Sequence, residues 1–599
     1  MQALASYLNR AATQQVLTCC EEQRTYPQMI RRQLHRLGLS HFFVDDVTGT
    51  AATQASATTT ATLPHLMALS ALCTSASASL GIDVGVNGLG LIPIYLGATT
   101  EQLSWVAARM TQGAFCSLLL TEIAHGSNLL ANETYAEAGT LTTAGHFVPL
   151  AHDDNAHQPT HYRLNGNKDL INGGSQHELL VLFARTRGEQ PIDRNSRPSA
   201  QGDFSLFLLD RREGGAAITS PHRWHTLPTP AADIASVRLQ DVLVPATQRI
   251  GAAGSGFRLV QQTLGITRGG VSAFAVGLAN RAVQLTCHYG QTRRIYGSPI
   301  LALGAIADHL LHCRALELLI TAMSLKATAL LNACGVGGGY YAHVAKYACC
   351  TLAEALVTEG RLLHGAAALL VARPYHRLIG DVLLFGAFDG TTHLTLEQIQ
   401  WRLAQLAAQP TQTTAPKATA IVEQMRHLYQ TPPQPLRLVA QQRSRTLLHD
   451  PGRYLQELAH SANWAPVAPL IQVSEALLTL VRHCRDGGQW ETDQGLRFTL
   501  GKLGAWLETL VALVEWTDPG TRRALGLPPR PTTPDDQALY TFAFGWFGGQ
   551  LLAELQMTMA RCGLVDLVRS DEVAAALGRL YREGRDQLYA ELQQIEEDI

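Results

Sequence analysis

The sequence lacks a Cys-x-x-Cys pair, a Cys/His spacing of the zinc-binding kind, a strong excess of either charge, and an internal repeat. Its eleven cysteines are scattered, from the Cys19-Cys20 and Cys349-Cys350 neighbours to Cys484 and Cys562, which suits reduced, buried thiols and no metal site. A formal charge of −2 leaves no electrostatic footprint for nucleic acid. The stretch from His65 to Gly97 is the best membrane candidate. Asp83, Asn87 and several glycines interrupt it, so a buried helix, a turn and a second helix are expected instead of a span. The opening MQALASYLNRAATQQ does not show the basic-then-apolar order of a signal peptide, and a cytoplasmic location is the expectation.

What is present is a long chain, 599 residues with 46% hydrophobic and 16% charged, too large for one ordinary core. Apolar residues at three and four spacing in QMIRRQLHRLGL and LPHLMALSALC predict a helical N-terminal domain over 1–113. Short β-rich runs follow over 114–248: HYRLNGNKDLING with an Asn165-Gly166 hairpin signal, then ELLVLFART, DFSLFLLD and ASVRLQDVLVP. Helical periodicity returns over 249–408, and QPTQTTAPKAT (409–419) reads as a linker because its prolines break regular structure. A helical extension over 418–599 closes the chain. Its last helix is expected from Ser570, with Val573, Leu577, Leu580, Tyr581, Leu588 and Leu592 on one apolar stripe. The class is therefore α+β, in the order α, β, α, with helices added.

Four segments in order carry the chemistry. LLLTEIAHGSN (118–128) resembles the acyl-CoA dehydrogenase superfamily signature of Thr-Glu followed by Gly-Ser. YRLNGNKDLINGG (162–174) is similar to that family's strand-turn-strand, with Leu170-Ile171-Asn172 where Trp-Ile-Thr is usual. GFRLVQQTLGITRGGVSAFAVGLANRAVQLTCHYGQTRRIYGSPI (256–300) looks like the family's long Ala-rich helix and Thr-Arg end. GRLLHGAAALLVARPYHRLIGDVLLFGAFDGTTH (360–393) resembles its Gly turn and aromatic-Glu-Gly-Thr motif, here Phe388-Asp389-Gly390-Thr391.

The resemblance implies an N-terminal helical domain, a central β domain and a C-terminal four-helix bundle that bind FAD, often across a subunit interface, in a homodimer or homotetramer. It implies cofactor contacts from Thr121, Ser127, Asn172, Arg293, Tyr296, Gly365 and Thr391, with Arg293 on the diphosphate because a guanidinium fork meets phosphate oxygens. Asp381 would hold its usual helix position. Asp389 would be the base that takes an α-proton while a β-hydride leaves for the flavin, and Arg268 would stand near the reacting end of the substrate. The implied substrate is an acyl thioester of CoA or an acyl carrier protein, with an electron-transfer flavoprotein as electron acceptor.

The sequence departs from the pattern at Leu170, at Leu303-Gly304 where His-Gln is common, and at the Pro228-Thr229-Pro230 loop. Asp389 is also shorter than Glu by roughly 1.5 Å, one C–C bond. Branches with Asp here include nitroalkane oxidases, so an oxidase on a non-thioester is the first alternative. A non-catalytic interaction protein that keeps the fold is the second. Thr267, at the position of another branch's Glu base, is not basic enough to serve.

Overall fold

The computed structural model describes residues 1–44, 62–150, 158–187, 204–408, 419–442, 451–462, 467–526, 534–564 and 570–597. By contact the chain forms two compact units, 1–270 with 433–442, and 271–432 with 443–599.

The first unit opens on helices α1 (Gln2–Leu8), α2 (Ala11–Glu22), α3 (Gln28–Arg36), α4 (Leu63–Ala76), α5 (Ala78–Gly97) and α6 (Thr100–Thr111). Ser77 divides α4 from α5 as the expected turn, and its hydroxyl accepts the Leu80 N–H at 3.3 Å. The 20 residues of α5 are long and apolar enough to cross a membrane, yet 78% of the window is buried inside the fold, as a core helix requires. A capping box starts α6: Thr99 and Gln102 each bond the other's backbone N–H.

Then come β1 (Cys116–Leu119), β2 (Tyr135–Leu141), β3 (Phe147–Pro149), β4 (His161–Asn172), β5 (Leu179–Arg187), β6 (Phe204–Asp210), the short α7 (Arg211–Gly214), β7 (Ile218–Thr219), β8 (Ile234–Pro245) and β9 (Arg249–Ile250). The sheet order is β7-β8-β4-β2-β5-β6-β9, with β1 parallel to β5 and β3 beside β2. Its core gathers Leu119, Tyr162, Leu164, Leu182, Phe207 and Val237. The Asn165-Gly166 hairpin expected from sequence is not formed. Both residues lie inside the 12-residue β4, which is paired with β2 on one side and β8 on the other, so no turn can open there. The pair instead accompanies a register shift against β8, and the Asn165 amide bonds the Asp241 carboxylate and N–H.

Helix α8 (Gly256–Thr292) begins in the first unit and ends in the second. The second unit continues with the ribbon β10 (Arg294–Ile295) and β11 (Ser298–Pro299), then α9 (Gly304–Cys334), α10 (Gly339–His364), α11 (Tyr375–Ala387) and α12 (Thr392–Ala408). Helices α9 and α10 pack along one another, α11 and α12 pack on α10, and Ser272 of α8 bonds Ser324 of α9 at 2.8 Å. The linker expected over 409–419 lies outside the described residues except for Thr419, where α13 (Thr419–Tyr429) starts.

Next are α14 (Leu436–Gln441), which belongs to the first unit, and α15 (Pro451–Ala462), α16 (Ala468–Asp486), α17 (Gln489–Thr492), α18 (Gln494–Thr517), α19 (Pro519–Ala524), α20 (Pro534–Arg561) and α21 (Ser570–Glu597). Helix α21 starts at the expected Ser570 and buries Val573, Leu577 and Leu588; the Leu592 side chain is outside the described set. Burial of each such side chain contributes about 1.5–3 kcal/mol. Gly545 and Gly584 let α20 and α21 touch backbone to backbone, since a Cβ on either would stand 2.4 Å from a main-chain nitrogen of the other helix.

Candidate active site

In the first unit, the Thr121 loop is held from below by a buried ion pair. Lys168, wholly buried on β4, donates to Glu122 Oε1 at 2.9 Å and to the Leu120 carbonyl at 3.2 Å. Glu122 also accepts the N–H groups of Glu133 and Thr134 at 2.7 and 2.9 Å. Burial pushes the Glu122 carboxyl up, but the Lys168 charge and these donors outweigh it and hold it below its ordinary range. Burial brings Lys168 down to about 8, with Glu122 acting against that fall. The Thr121 carbonyl accepts the Asp169 N–H at 2.9 Å, which ties the loop to β4 next to Lys168. Thr121 is half-buried and Ser127 exposed, and the Gly126 backbone between them lies beside Thr121.

Asn172, at the end of β4, has the most telling side chain. Both amide atoms, Oδ1 and Nδ2, are buried and neither has a hydrogen-bond partner among the described residues. An unmet buried amide costs about 1–3 kcal/mol, so this group is open to water or to a ligand. Its backbone is well held: the Ser117 hydroxyl donates to the Asn172 carbonyl at 2.7 Å. Ser117 also meets His177 Nδ1 at 2.7 Å, and His177 Nε2 meets Asp83 at 3.1 Å. This has the connectivity of a hydrolase triad. Ser117 and His177 are completely buried, however, so no substrate carbonyl can reach the hydroxyl and the set works as a support.

Leu170 stands in the left-handed region at φ 55° and is exposed, while Ile171 beside it is buried. The register shift between Lys168 and Ile171 places them so. Arg268 on α8 is buried, unlike the solvated charge common on helices. In the Pro228-Thr229-Pro230 loop, Thr229 is buried at φ 46°.

In the second unit, Asp389 occupies the turn between α11 and α12. Its φ of 54° is followed by Gly390 at 90°, a pairing Asp tolerates better than most side chains. The side chain is half-buried. Buried Lys346 on α10 donates to the Gly390 carbonyl and pins the turn. Burial pushes the nearby Cys350 thiol up to about 12, Lys346 opposes this, and the negative charges of Glu354 and Asp389 add to it. Phe388 lies 6.1 Å from Phe274, ring to ring, so the turn is anchored on α8 as well. The Thr391 hydroxyl accepts the Leu394 N–H at 3.4 Å, capping α12, and Asp381 is buried on α11.

Gly365 ends α10 at φ 59° and ψ −138°, a conformation only glycine adopts readily, and among the described residues nothing lies within 4 Å of where a Cβ would stand. Before it, His364 stacks between Tyr289 and Tyr375 at 4.4 and 4.3 Å, and burial lowers its imidazole to about 4, leaving it neutral. Arg293 and Tyr296 are gathered on the exposed ribbon after α8, where Tyr296-Gly297 makes the two-residue turn at φ 54° and 91°. Tyr296 is 96% exposed in the single chain.

Thus Asp389 and Thr391 share one turn, Arg293 and Tyr296 lie close in sequence at the exposed ribbon, the Thr121 loop is tied to β4 at Asp169, and Asn172 ends β4. Sequence reasoning missed Lys346 and the Glu122–Lys168 pair. The latter lay in plain view inside two of the quoted segments, 46 positions apart.

Residues 254–404 match the family model of the acyl-CoA dehydrogenase C-terminal domain. The chain is 26% identical over 283 residues, 47% of its length and 60% of the relative's, to a probable medium-chain specific acyl-CoA dehydrogenase 2, mitochondrial, of Caenorhabditis briggsae. It is 26% identical over 263 residues, 43% of its length and 64% of the relative's, to the 3-(aryl)acrylate reductase of Clostridium sporogenes. The matches span less than two thirds of these curated relatives. Among solved structures, an acyl-CoA dehydrogenase complexed with FAD from Bacillus anthracis aligns at TM-score 0.70 and 16% identity, covering 99% of this chain and 95% of its own. The nitroalkane oxidase of Podospora anserina aligns at TM-score 0.54 and 20% identity over 64% of this chain and 87% of its own. These structural likenesses establish the fold, extension included.

Proposed function

Because the chain belongs to the acyl-CoA dehydrogenase superfamily, we propose that it is an FAD-dependent oxidoreductase that removes the α and β hydrogens of an acyl thioester, with Asp389 as the base. The observation that carries this reading is the Asp389 turn: a half-buried carboxylate in a left-handed conformation, pinned by Lys346 and backed by Phe388. A turn held this way fixes the backbone that carries the base, and position matters because misplacement of about 1 Å can cost a hundredfold in rate.

Two features of the chain suit FAD. The Asn172 amide, without a hydrogen-bond partner among the described residues, has a donor and an acceptor to offer a flavin edge, and among those residues the space at Gly365 is open for a cofactor to approach backbone. Bound FAD would supply the hydride acceptor that no side chain provides. Thr121, steadied by Glu122 and Lys168, and Asn172 would orient the ring. Exposed Arg293 and Tyr296 would meet the diphosphate end, and Ser127, Gly365 and Thr391 would complete the contacts. Arg268 would face the reacting end of the substrate. The acyl group would be carried by CoA or an acyl carrier protein, electrons would leave to an electron-transfer flavoprotein, and the enzyme would act as a cytoplasmic homo-oligomer.

Anaerobic titration of the flavin-loaded protein with a panel of acyl-CoA thioesters tests this: bleaching of the flavin absorbance is expected. Asp389→Asn should slow it by about 10²–10⁴-fold, the usual share of a general base. Bleaching at the parental rate in Asp389→Asn would remove Asp389 from the role. Asp in place of Glu favours a second reading, proton removal from a smaller carbon acid such as a nitroalkane. Fast reoxidation by air, with no response to thioesters, would select it.

A further inference from the structure

Helices α9 and α10 bring together three metal-ligating side chains that the proposed reaction does not use. His309 and His312, three residues apart on α9, turn to the same side of the helix, and Glu359 on α10 faces them. Both imidazoles present Nδ1 to a single carboxylate oxygen, Glu359 Oε2, at 2.7 and 3.5 Å. The three ligand atoms lie within 4.8 Å of one another. Two ligands on a tetrahedral zinc ion with bonds of about 2.0–2.1 Å stand about 3.3 Å apart, a separation bracketed by the observed pair.

The surroundings hold the set in place and keep it open. His312 stacks on Trp546 of α20 at 4.5 Å, which fixes its ring plane. Neighbouring Asp308 is taken by the fork of Arg585 on α21, at 2.9 and 3.0 Å, so it does not compete for a cation at His309. The side chains of His309, His312 and Glu359 keep 28%, 19% and 25% of their exposure, enough for an ion to enter and for water to complete its shell.

We propose that His309, His312 and Glu359 form a site for a zinc-class divalent cation that fastens α9 to α10. Two imidazoles and one carboxylate select a borderline metal over Mg2+ or Ca2+, which require oxygen ligands. The sequence held no sign of it beyond His309-x-x-His312, because the third ligand is 47 positions further on.

The test uses the full-length protein, stripped by a chelator and titrated with Zn2+ against a chromophoric competitor, with Co2+ absorption as an independent readout of the ligand field. One tight equivalent is expected, unaffected by excess Mg2+. Loss of even an outer partner of a metal ligand costs about 10–100-fold in affinity, so His312→Ala and Glu359→Gln should each cost more than that. Glu359→Gln preserves shape and keeps the comparison valid if the alanine variant misfolds. Zn2+ binding of equal strength in wild type and Glu359→Gln, or no tight equivalent in the stripped wild type, overturns the proposal.

Discussion

Lys168, beneath the Thr121 loop, and Lys326, between the bundle and the helical extension, are both buried, and burial lowers both, yet their net shifts are in opposite directions. Lys168 has one carboxylate, Glu122, and burial wins, bringing it down to about 8. Lys326 on α9 has two, Glu508 at 3.0 Å and Glu515 at 3.2 Å on α18; burial lowers it, but the pair of charges overcomes this and raises it above its ordinary value. Glu515 is in turn held by the Tyr454 hydroxyl. One carboxylate leaves a buried ammonium close to balance, and two commit it. The first suits a support beneath a site and the second a permanent clamp.

The comparison can be broken most strongly at the clamp. Lys326→Met leaves two carboxylates buried without their cation and should destabilise the protein by about 3–5 kcal/mol in urea unfolding. Adding Glu508→Gln and Glu515→Gln should recover most of the loss. Lys168→Met should cost less, about 1–3 kcal/mol, since Glu122 keeps its two backbone donors. It should also loosen FAD, measured by flavin release, because the Thr121 loop loses its tie.

Alkaline pH sharpens the contrast through its sign. Between about pH 8 and about pH 10.5 the unfolded chain holds a proton on Lys168 that the folded chain has lost, so this residue's contribution to stability rises with pH. Lys326 behaves inversely: its contribution is complete below the unfolded lysine value and falls as pH climbs through its raised folded value. Subtracting each methionine variant's unfolding curve from wild type should give slopes of opposite sign. The smallest effect is expected at the amide that has no hydrogen-bond partner among the described residues. Asn172→Ala should leave the flavin-free protein as stable or slightly more so, while weakening FAD by about 0.5–1.5 kcal/mol in a binding titration.

Much of this was legible from the chain. Three- and four-residue periodicity marked the helices, the β-rich runs marked β5, β6 and β8, and Ser570 marked the start of α21, because these signals are local. The Asn165-Gly166 pair misled for the opposite reason: its meaning depends on β2 and β8, which flank it and leave no room for a turn. The motifs pointed to Asp389 and Asn172 as residues. They did not show that Lys346 pins the turn of the one or that the other's amide has no partner among the described residues.

By itself, then, the sequence determined the resemblance to acyl-CoA dehydrogenases, the α+β order of elements and the identity of the carboxylate in the turn. Only the tertiary structure decided which charges meet. The pairs Glu122–Lys168 and Lys326–Glu508 are 46 and 182 positions apart, and the cluster of His309 with Glu359 spans 50. Such contacts leave no period in the chain, and the low dielectric that gives them their strength exists only once the core around them has closed.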